Sequence, residues 1–160
     1  QEVAYDTLNN WGRTMTRLLT IGFTKKTAKQ FFELLKENNV KKIVDIRLNN
    51  KSQLAGFAKG SDLEYFGKEI IGIPYEHIID FAPTNELLSN YRNKSIDFDE
   101  YTKIFEKLII ERKIISNYNI HDFDGAVFLC SEEQPDKCHR RLLVEYFQDN
   151  NSNIEITHLK

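Results

Sequence analysis

The chain has few of the residues that mark special architectures. Its 160 residues include two cysteines, three prolines and one methionine. A chain of this length buries roughly two-thirds of its unfolded surface, which is enough for a core without covalent staples. The sequence therefore predicts one domain that needs neither a disulfide nor a metal ion for stability.

Long hydrophobic runs and an excess of one charge are also missing. No apolar run approaches the length needed to span a bilayer, so no membrane partner is expected. Lys and Arg (22) nearly balance Asp and Glu (24), giving a net charge of −2. The whole chain therefore exerts no strong attraction on nucleic acid, although a local basic patch remains possible. A nucleic-acid function must rest on a particular site.

The N-terminal stretch lacks the pattern of a signal peptide. Residues 1–14 contain no basic segment followed by an apolar run. Met15, the only methionine, stands just before the first regular element. Our hypothesis is that Met15 is the natural start, that residues 1–14 are a cloning remnant or a loose extension, and that residues 15–160 form the domain. We expect a cytoplasmic protein, in which a stable disulfide is not expected.

Strand and helix patterns alternate along the chain, without repeats or low-complexity tracts. The hydrophobic period predicts strands at 17–23, 41–47, 73–78 and 125–130, and an edge strand at 153–159. Helices are predicted after an N-cap at Thr24, and within 61–72, 82–92 and 98–115, with a long loop at 48–60. The sequence predicts a single α/β domain with an open, mainly parallel sheet and helices on both faces.

Polar side chains stand where the predicted strands end. In an open parallel sheet, ligands bind outside the carboxyl ends of the strands, where connections diverge. We therefore predict a binding rim formed by residues 22–24, 45–59, 76–77 and 130–141. For Asp45 and Arg47, a simple ion pair that holds the following loop is an equally good interpretation.

Several motifs, in order, resemble a known family. They are "TIGFTKKTAKQFFELLKENNVKKIVDIR", "NNKSQLAGFAKG", "APTNELLSNYR" and "LCSEEQPDKCHRRLLVEYF". Together they are similar to the domain-of-unknown-function 488 family, in the branch with a "SQLAGFAK" loop, over nearly all of residues 16–159. The resemblance implies no proven catalytic residue. It implies these motif positions: Thr20, Gly22, Asp45, Arg47, Ser52, Gln53, Gly56, Phe57, Cys130, Glu132, Cys138, His139 and Arg140.

One position departs from the family pattern. Many members look like "TIGHS" at the first strand end, whereas this chain has Phe23 in place of that histidine. The departure weakens any mechanism that needs an imidazole at this point.

The segment "LCSEEQPDKCHRR" holds both cysteines and predicts a strand joined to a helix. Pro135 suits the first helical position, which would place Cys138 in the first turn. The helix N-terminus and the charges of His139, Arg140 and Arg141 would then lower the pKa of the Cys138 thiol and favour phosphate binding. Cys130, at the end of a buried strand, is more typical of a small core residue. The sequence thus favours Cys138 as the reactive thiol.

Two other interpretations of this segment stay open. Cys130, Cys138 and His139 have the right atoms for a metal, with His77, His121 or His158 as a fourth ligand, but the spacing is not a usual zinc pattern. No metal or other cofactor is therefore predicted. His139 also falls on the apolar face of its helix, so it could be a hydrogen-bonded core histidine. A likeness to rhodanese and cysteine-phosphatase sites is analogy only, because their compact cysteine, five residues, arginine loop is absent.

The leading functional hypothesis is an enzyme that acts on a phosphate-containing or otherwise anionic substrate, such as a nucleotide or a nucleic-acid end. Cys138 would be nucleophile or acid, Asp45 would orient Arg47 or act as base, and His139 would assist. Residues predicted to bind the substrate or its anion are Arg47, Arg140, Gly22, Thr24, Gln53, Phe57, Lys59, His77, Cys130 and Glu132. The alternative is a noncatalytic module that binds a nucleotide or nucleic acid in the same pocket.

The loop at 48–60 is predicted to cover this rim. It follows Asp45 and Arg47 directly, lacks any hydrophobic period and carries two glycines at its far end. If it is a lid, Gln53 and Phe57 should lie near Cys138.

Overall fold

The computed structural model describes residues 14–51, 56–132 and 134–160. These residues form one five-stranded sheet with the order β3-β2-β4-β1-β5, and each neighbouring pair of strands is parallel. The strands are β1 (Thr16–Gly22), β2 (Lys42–Asp45), β3 (Tyr75–His77), β4 (Ala126–Cys130) and β5 (Ile154–His158). The predicted parallel sheet is confirmed, and β5 is an edge strand as expected.

Six α-helices lie between the strands in the described ranges. They are α1 (Ala28–Glu37), α2 (Gly60–Phe66), α3 (Asn85–Arg92), α4 (Phe98–Glu111), α5 (Ile114–Asn117) and α6 (His139–Asn150). Helix α1 begins later than predicted, because Thr27 and not Thr24 caps it. The Thr27 hydroxyl accepts a hydrogen bond from the Gln30 amide while the Gln30 side chain accepts one from Thr27 N–H, which completes a capping box.

The helices cover both faces of the sheet, as the sequence predicts. Helices α1 and α2 pack on one face through residues such as Phe31, Leu35 and Leu63. Helices α3, α4 and α6 pack on the other through residues such as Phe105 and Phe147. Both faces of the central strands are therefore buried, which explains why β4 is continuously apolar, whereas the edge strands β3 and β5 are partly exposed.

Several predicted boundaries are wrong for local reasons. The helix predicted over 98–115 ends at Glu111, because Lys113 adopts a left-handed conformation (φ 54°) before α5. The segment predicted as one helix over 61–72 is α2 followed by a π-helical turn, Gly67–Ile71, that ends at left-handed Gly72. The strand predicted to reach 47 ends at Asp45, because Arg47 N–H bonds the Asp45 carboxylate and leaves the ladder.

The chain path creates a crevice between neighbouring strands β2 and β4. Strand β2 continues into α2 on one face, whereas β4 continues into α6 on the opposite face. Connections that diverge in this way open a space outside the carboxyl ends of the two strands. Strands β1 and β2 run parallel, as predicted, but β4 lies between them.

No helix in the described part of the chain combines the length and the apolar character needed to cross a bilayer.

Candidate thiol and anion site

A cavity of about 710 Å³ opens at the crevice between β2 and β4. Its floor comes from three segments: residues 47–49 after β2, residues 130–132 at the end of β4, and residues 137–139 at the start of α6. Helix α3 and the beginning of α4 form the facing wall. The predicted rim and this cavity therefore coincide at residues 47–49 and along much of 130–141.

The facing wall adds aromatic and charged side chains. The rings of Tyr91 and Tyr101 lie 5.1 Å apart, and those of Tyr91 and Phe98 lie 5.9 Å apart. Charged residues on the lining comprise four cations and two anions: Arg47, Arg92, Lys94, Lys137, Asp97 and Glu132. The cavity thus offers ring surfaces beside a surplus of positive charge.

Both thiols lie in this cavity and touch each other. The Cys130 and Cys138 sulfurs are 2.8 Å apart, and both cysteines are free thiols. Arg140 Nη1 donates to Cys130 Sγ at 2.9 Å and also to the Glu132 carbonyl oxygen. The guanidinium of Arg140 is fully buried, so its charge acts on the Cys130 sulfur with little screening by water.

These contacts reverse the order of thiol acidity expected from the sequence. Burial alone would raise the pKa of Cys130, but the hydrogen bond from Cys138 and the charge of Arg140 outweigh it and lower that pKa. Burial, together with the neighbouring Cys130 sulfur, raises the pKa of Cys138. The prediction that Cys138 is the more acidic thiol is therefore wrong, and Cys130 is the more acidic thiol of the pair.

The position of Cys138 explains part of this error. Cys138 is the N-cap of α6, with extended φ and ψ of −132° and 142°, and the helix begins at His139. Pro135 is outside the helix, and its carbonyl oxygen accepts a hydrogen bond from Cys138 N–H. The prediction of Pro135 at the first helical position with Cys138 in the first turn is wrong. The backbone and the charge of Arg140 act to lower the pKa of Cys138, but burial and the Cys130 sulfur outweigh them.

His139 is buried and neutral, so it adds no positive charge near the thiols. Burial lowers its pKa to about 4, and its Nε2 lies 2.8 Å from the Ile46 carbonyl oxygen. Because a carbonyl only accepts, Nε2 carries the proton, which leaves Nδ1 as the acceptor facing Cys138 Sγ at 3.8 Å. The alternative of a hydrogen-bonded core histidine is confirmed, with the ring edge-on to Phe105.

Asp45 and Arg47 form a buried bidentate pair. Arg47 Nε and Nη2 donate to Asp45 Oδ1 and Oδ2 at 2.8 and 2.6 Å, and Tyr75 donates to Oδ2 at 2.6 Å. The ion-pair interpretation is confirmed, and Asp45 orients Arg47. Arg47 is only 4% exposed, and its Nη1 has no hydrogen-bond partner among the residues that the structure describes. A buried guanidinium N–H without a partner is a ready donor to an anion.

The ring of Phe23 supports Arg47. The guanidinium carbon of Arg47 lies 5.2 Å from the centre of the Phe23 ring. The guanidinium is therefore held by a cation–π contact with the Phe23 ring and by the hydrogen bonds that its Nε and Nη2 donate to Asp45. The aromatic ring can position Arg47, but it cannot transfer a proton.

Gly22 and Thr24 shape the site without lining the cavity. A Cβ on Gly22 would lie 1.6 Å from the Glu132 carbonyl oxygen and 2.8 Å from Arg140 Nη1, so only glycine fits. Thr24 donates its hydroxyl and its backbone N–H to the Ser131 carbonyl oxygen. Both residues fix the loop that follows Cys130.

Other predicted site residues have structural contacts. His77 Nε2 lies 2.6 Å from the Arg47 carbonyl oxygen, so it supports the Arg47 backbone without lining the cavity. Glu132 lines the cavity with an exposed side chain. Glu132 therefore lies at the cavity surface, whereas His77 contacts the backbone of a residue that lines the cavity.

The segment 48–60 is only partly described. Its first residues, Leu48 and Asn49, line the cavity, whereas the Phe57 ring packs 5.4 Å from that of Phe31 on the face covered by α1. Lys59 precedes α2 as its N-cap and does not line the cavity. A 3₁₀ turn at Gly56–Ala58 replaces part of the predicted loop. Gln53 lies outside the described residues, as do residues 1–13, so the lid and the N-terminal hypothesis stay predictions.

The histidines considered as metal ligands are engaged elsewhere. His121 Nδ1 lies 2.7 Å from Thr16 Oγ1, and His158 Nδ1 lies 2.6 Å from Thr20 Oγ1. Within the described ranges, no cluster of three or more His, Cys, Asp or Glu side chains is arranged to hold a metal ion.

The sequence reasoning missed the wall of the cavity. Tyr101 lies on the apolar stripe of α4 and is 3% exposed, as expected of a core residue, yet it also lines the cavity. Tyr75 was missed because it lies inside a predicted strand, although its hydroxyl reaches Asp45. The available signal was the aromatic-basic cluster Tyr91, Arg92 and Lys94 just before α4.

A family model matches residues 27–147, which span the cavity-forming segments from Arg47 to His139. It is described as "Domain of unknown function DUF488". The chain belongs to the DUF488 family. Neither the curated proteins nor the solved structures gave a match to this chain. The resemblance noted in the motifs is therefore confirmed at the family level, and the chemistry of this DUF488 protein must be argued from its own residues.

Proposed function

We propose that this protein is an enzyme that uses the Cys130 thiolate on a phosphate-containing substrate bound in the cavity, such as a nucleotide or a nucleic-acid end. The observation that carries the proposal is the contact of Arg140 Nη1 with Cys130 Sγ at 2.9 Å. A buried guanidinium in contact with a thiol favours the thiolate, which is the nucleophilic form.

Arg47 is the proposed anion binder. It lines the same cavity as Cys130 and has a buried N–H without a partner among the described residues. Asp45 and Phe23 hold its guanidinium from two sides, so little reorganisation is needed when a phosphate arrives. The N-terminus of α6 borders the same space and contributes its positive dipole end.

The wall opposite the thiols suits an aromatic base. Aromatic rings line this wall, and Tyr91 is the one proposed to receive a base, because Tyr101 is already stacked on Phe98 and Phe105. Arg92, Lys94 and Lys137 add positive charge around it. Stacking on such rings is tolerant of base identity, and the cations favour a phosphate or a phosphodiester backbone. This combination supports a nucleotide, or the end of a single strand, as the substrate class.

The proposed reaction has two steps. The Cys130 sulfur attacks phosphorus, a P–S bond forms, the P–O ester bond breaks, and the leaving oxygen takes the proton of the Cys138 thiol. Water then attacks phosphorus and gives its proton to the Cys138 thiolate, while the P–S bond breaks and releases phosphate and the Cys130 thiolate. Cys138 thus keeps the acid role considered from the sequence, and the nucleophile becomes Cys130.

A noncatalytic nucleotide- or nucleic-acid-binding module is the second candidate. The observation in its favour is the burial of both thiols, which are 2% and 4% exposed and so leave little room for in-line attack. In that case Arg47 and the aromatic wall would bind the same ligands without forming a covalent intermediate.

The test combines binding with covalent trapping. Phosphate and nucleoside monophosphates should raise the melting temperature of the wild type, and this shift should be lost in an Arg47→Gln variant. Lys68→Gln, which removes a charge remote from the cavity lining, is the matched control and should keep the shift.

An aryl phosphate separates the two candidates. If the protein is an enzyme, acid quenching should trap a phosphorylated Cys130 that is absent in Cys130→Ser. Binding that depends on Arg47, without a covalent intermediate or turnover, would support the binding module instead.

A further inference from the structure

We propose that Cys130 and Cys138 form a reversible disulfide in the folded protein, with Cys130 as the thiol that reacts with an oxidant and Cys138 as the thiol that resolves it. The inference concerns regulation of the proposed site and rests on its thiol pair, but not on the identity of the substrate. It assigns Cys138 a second role besides proton donation.

The geometry of the pair is the first argument. The two sulfurs are 2.8 Å apart, and a disulfide bond needs about 2.05 Å, so a movement of under about 1 Å closes it. The cysteines are eight positions apart, and they lie at two element ends: Cys130 at the end of β4 and Cys138 at the cap of α6. Closing the bond therefore needs no strand or helix to be dismantled.

The chemical difference between the thiols is the second argument. Arg140 Nη1 donates to the Cys130 sulfur, which lowers the pKa of Cys130, whereas the Cys138 sulfur faces the neutral His139 ring and its pKa is raised by burial and by Cys130. A thiolate beside a guanidinium reacts first with an oxidant, and a neighbouring thiol then reacts with the oxidised sulfur. The cavity, at about 710 Å³, easily admits a small hydroperoxide.

The steps balance with a hydroperoxide as oxidant. The Cys130 thiolate attacks one peroxide oxygen, an S–O bond forms, the O–O bond breaks, and hydroxide leaves. The Cys138 sulfur then attacks the Cys130 sulfur, the S–S bond forms, the S–O bond breaks, and the hydroxyl leaves as water with the Cys138 proton. Two thiols are oxidised, one hydroperoxide is reduced, and a dithiol reductant reverses the change.

Oxidation would switch the site off and protect it. The disulfide removes the nucleophilic thiolate and the negative charge that faces Arg140. It also prevents further oxidation of Cys130 to sulfinic acid, which is not reversed by thiols. The expected absence of a stable disulfide is compatible with this proposal, because the bond is formed only under oxidant and is reduced again.

The experiment is oxidation of the native full chain with hydrogen peroxide, followed by intact and peptide mass analysis without reductant. The wild type should lose two hydrogen masses, with Cys130 and Cys138 in one linked peptide pair, and a dithiol should restore both thiols. Cys138→Ser should instead gain oxygen on Cys130 and reach the sulfinic form roughly tenfold faster than the wild type. Cys130→Ser should leave Cys138 reduced at the same peroxide concentration.

The proposal is overturned if native wild type gains oxygen on Cys130 without a linked pair, or if the link appears only in denaturant. The wild-type measurement needs no variant, so a variant that fails to fold leaves this outcome readable. Failure here is also distinct from failure of the proposed function, because phosphate binding through Arg47 and phosphoenzyme trapping are measured in reduced protein.

Discussion

For Cys130 and Cys138, the sequence motif predicts the position of the thiol cluster but not which of the two thiols is the more acidic. The motif correctly directs attention to a thiol and arginine cluster at a strand-to-helix junction. It cannot say which sulfur the Arg140 side chain reaches, because that depends on where α6 begins. A shift of the helix start to His139 turns the guanidinium onto Cys130, and the acidity of the two thiols reverses.

Asp45 and Arg47 are the residues whose pairing matters most for stability. Asp45→Asn should leave the buried Arg47 charge without a counter-charge, and we expect a loss of about 3 kcal/mol or more in the free energy of unfolding. Urea unfolding monitored by circular dichroism measures this. Glu76→Gln, which breaks the exposed Lys42–Glu76 pair, is the control and should cost under about 1 kcal/mol. Equal small losses for both variants would show that the Asp45 charge does not balance Arg47.

His139 predicts a particular pH dependence of stability. Its pKa falls from 6.5 to about 4 on folding, so the unfolded chain binds the proton more strongly. The neutral His139 ring therefore contributes fully to the free energy of unfolding above pH 6.5. This contribution is lost as the pH falls toward 4, and the loss reaches roughly 3 kcal/mol. The charged groups that act on this ring are Arg140, which lowers the pKa further, and Asp45, which opposes the change, while the Cys138 thiol faces its Nδ1.

Unfolding free energies of the wild type and of His139→Gln, measured between pH 7 and pH 4, test this dependence. The free energy of unfolding of His139→Gln should fall much less between pH 7 and pH 4 than that of the wild type. Some fall should remain, because burial also lowers the pKa of His158. His121→Gln, at an exposed ring, is the matched histidine control. An unchanged slope in His139→Gln would mean that His139 is not buried as a neutral ring.

At the scale of elements, the hydrophobic period was a good guide to what each segment becomes. The apolar face of α1 and the buried run of β4 follow directly from their sequences, because both are anchored in the core. The predicted boundaries were wrong where the backbone departs from a regular helix. The π-helical turn after α2 and the left-handed Lys113 depend on local backbone geometry, which a hydrophobic period does not encode.

The junction of β1 and β4 gives a prediction at this scale. Gly22 lies opposite Cys130, and a side chain there would collide with the Glu132 carbonyl oxygen and with Arg140. Gly22→Ala should therefore push the loop after β4 away and cost about 1 to 3 kcal/mol, and phosphate binding should be lost with it. Gly56→Ala is the matched control, because its Cβ would meet nothing within 4 Å. Thermal melts with and without phosphate measure both effects, and two variants with identical melts would contradict the role given to Gly22.

At the scale of the whole molecule, the sheet order decides which strand ends meet. The sequence predicts parallel strands and a rim, but sequence neighbours β1 and β2 are separated by β4, which a chain-order argument does not foresee. That insertion brings Cys130 beside Arg47 and opens the cavity between them. The location of the cavity was therefore predictable from the sequence, whereas its lining, in particular the wall from α3 and α4, was not.

The central claim is that Cys130 is the activated thiol of this fold. Its most direct test is the rate of iodoacetamide alkylation at each cysteine of the reduced native protein as a function of pH, resolved by peptide mass analysis. We predict that Cys130 reacts well below the pH at which a free cysteine does, that Cys138 lags behind, and that phosphate or sulfate protects Cys130. Arg140→Gln should raise the apparent pKa of Cys130, while Arg141→Gln, at a partly exposed guanidinium, should not. Faster reaction of Cys138, or reaction of Cys130 only on unfolding, would contradict the account.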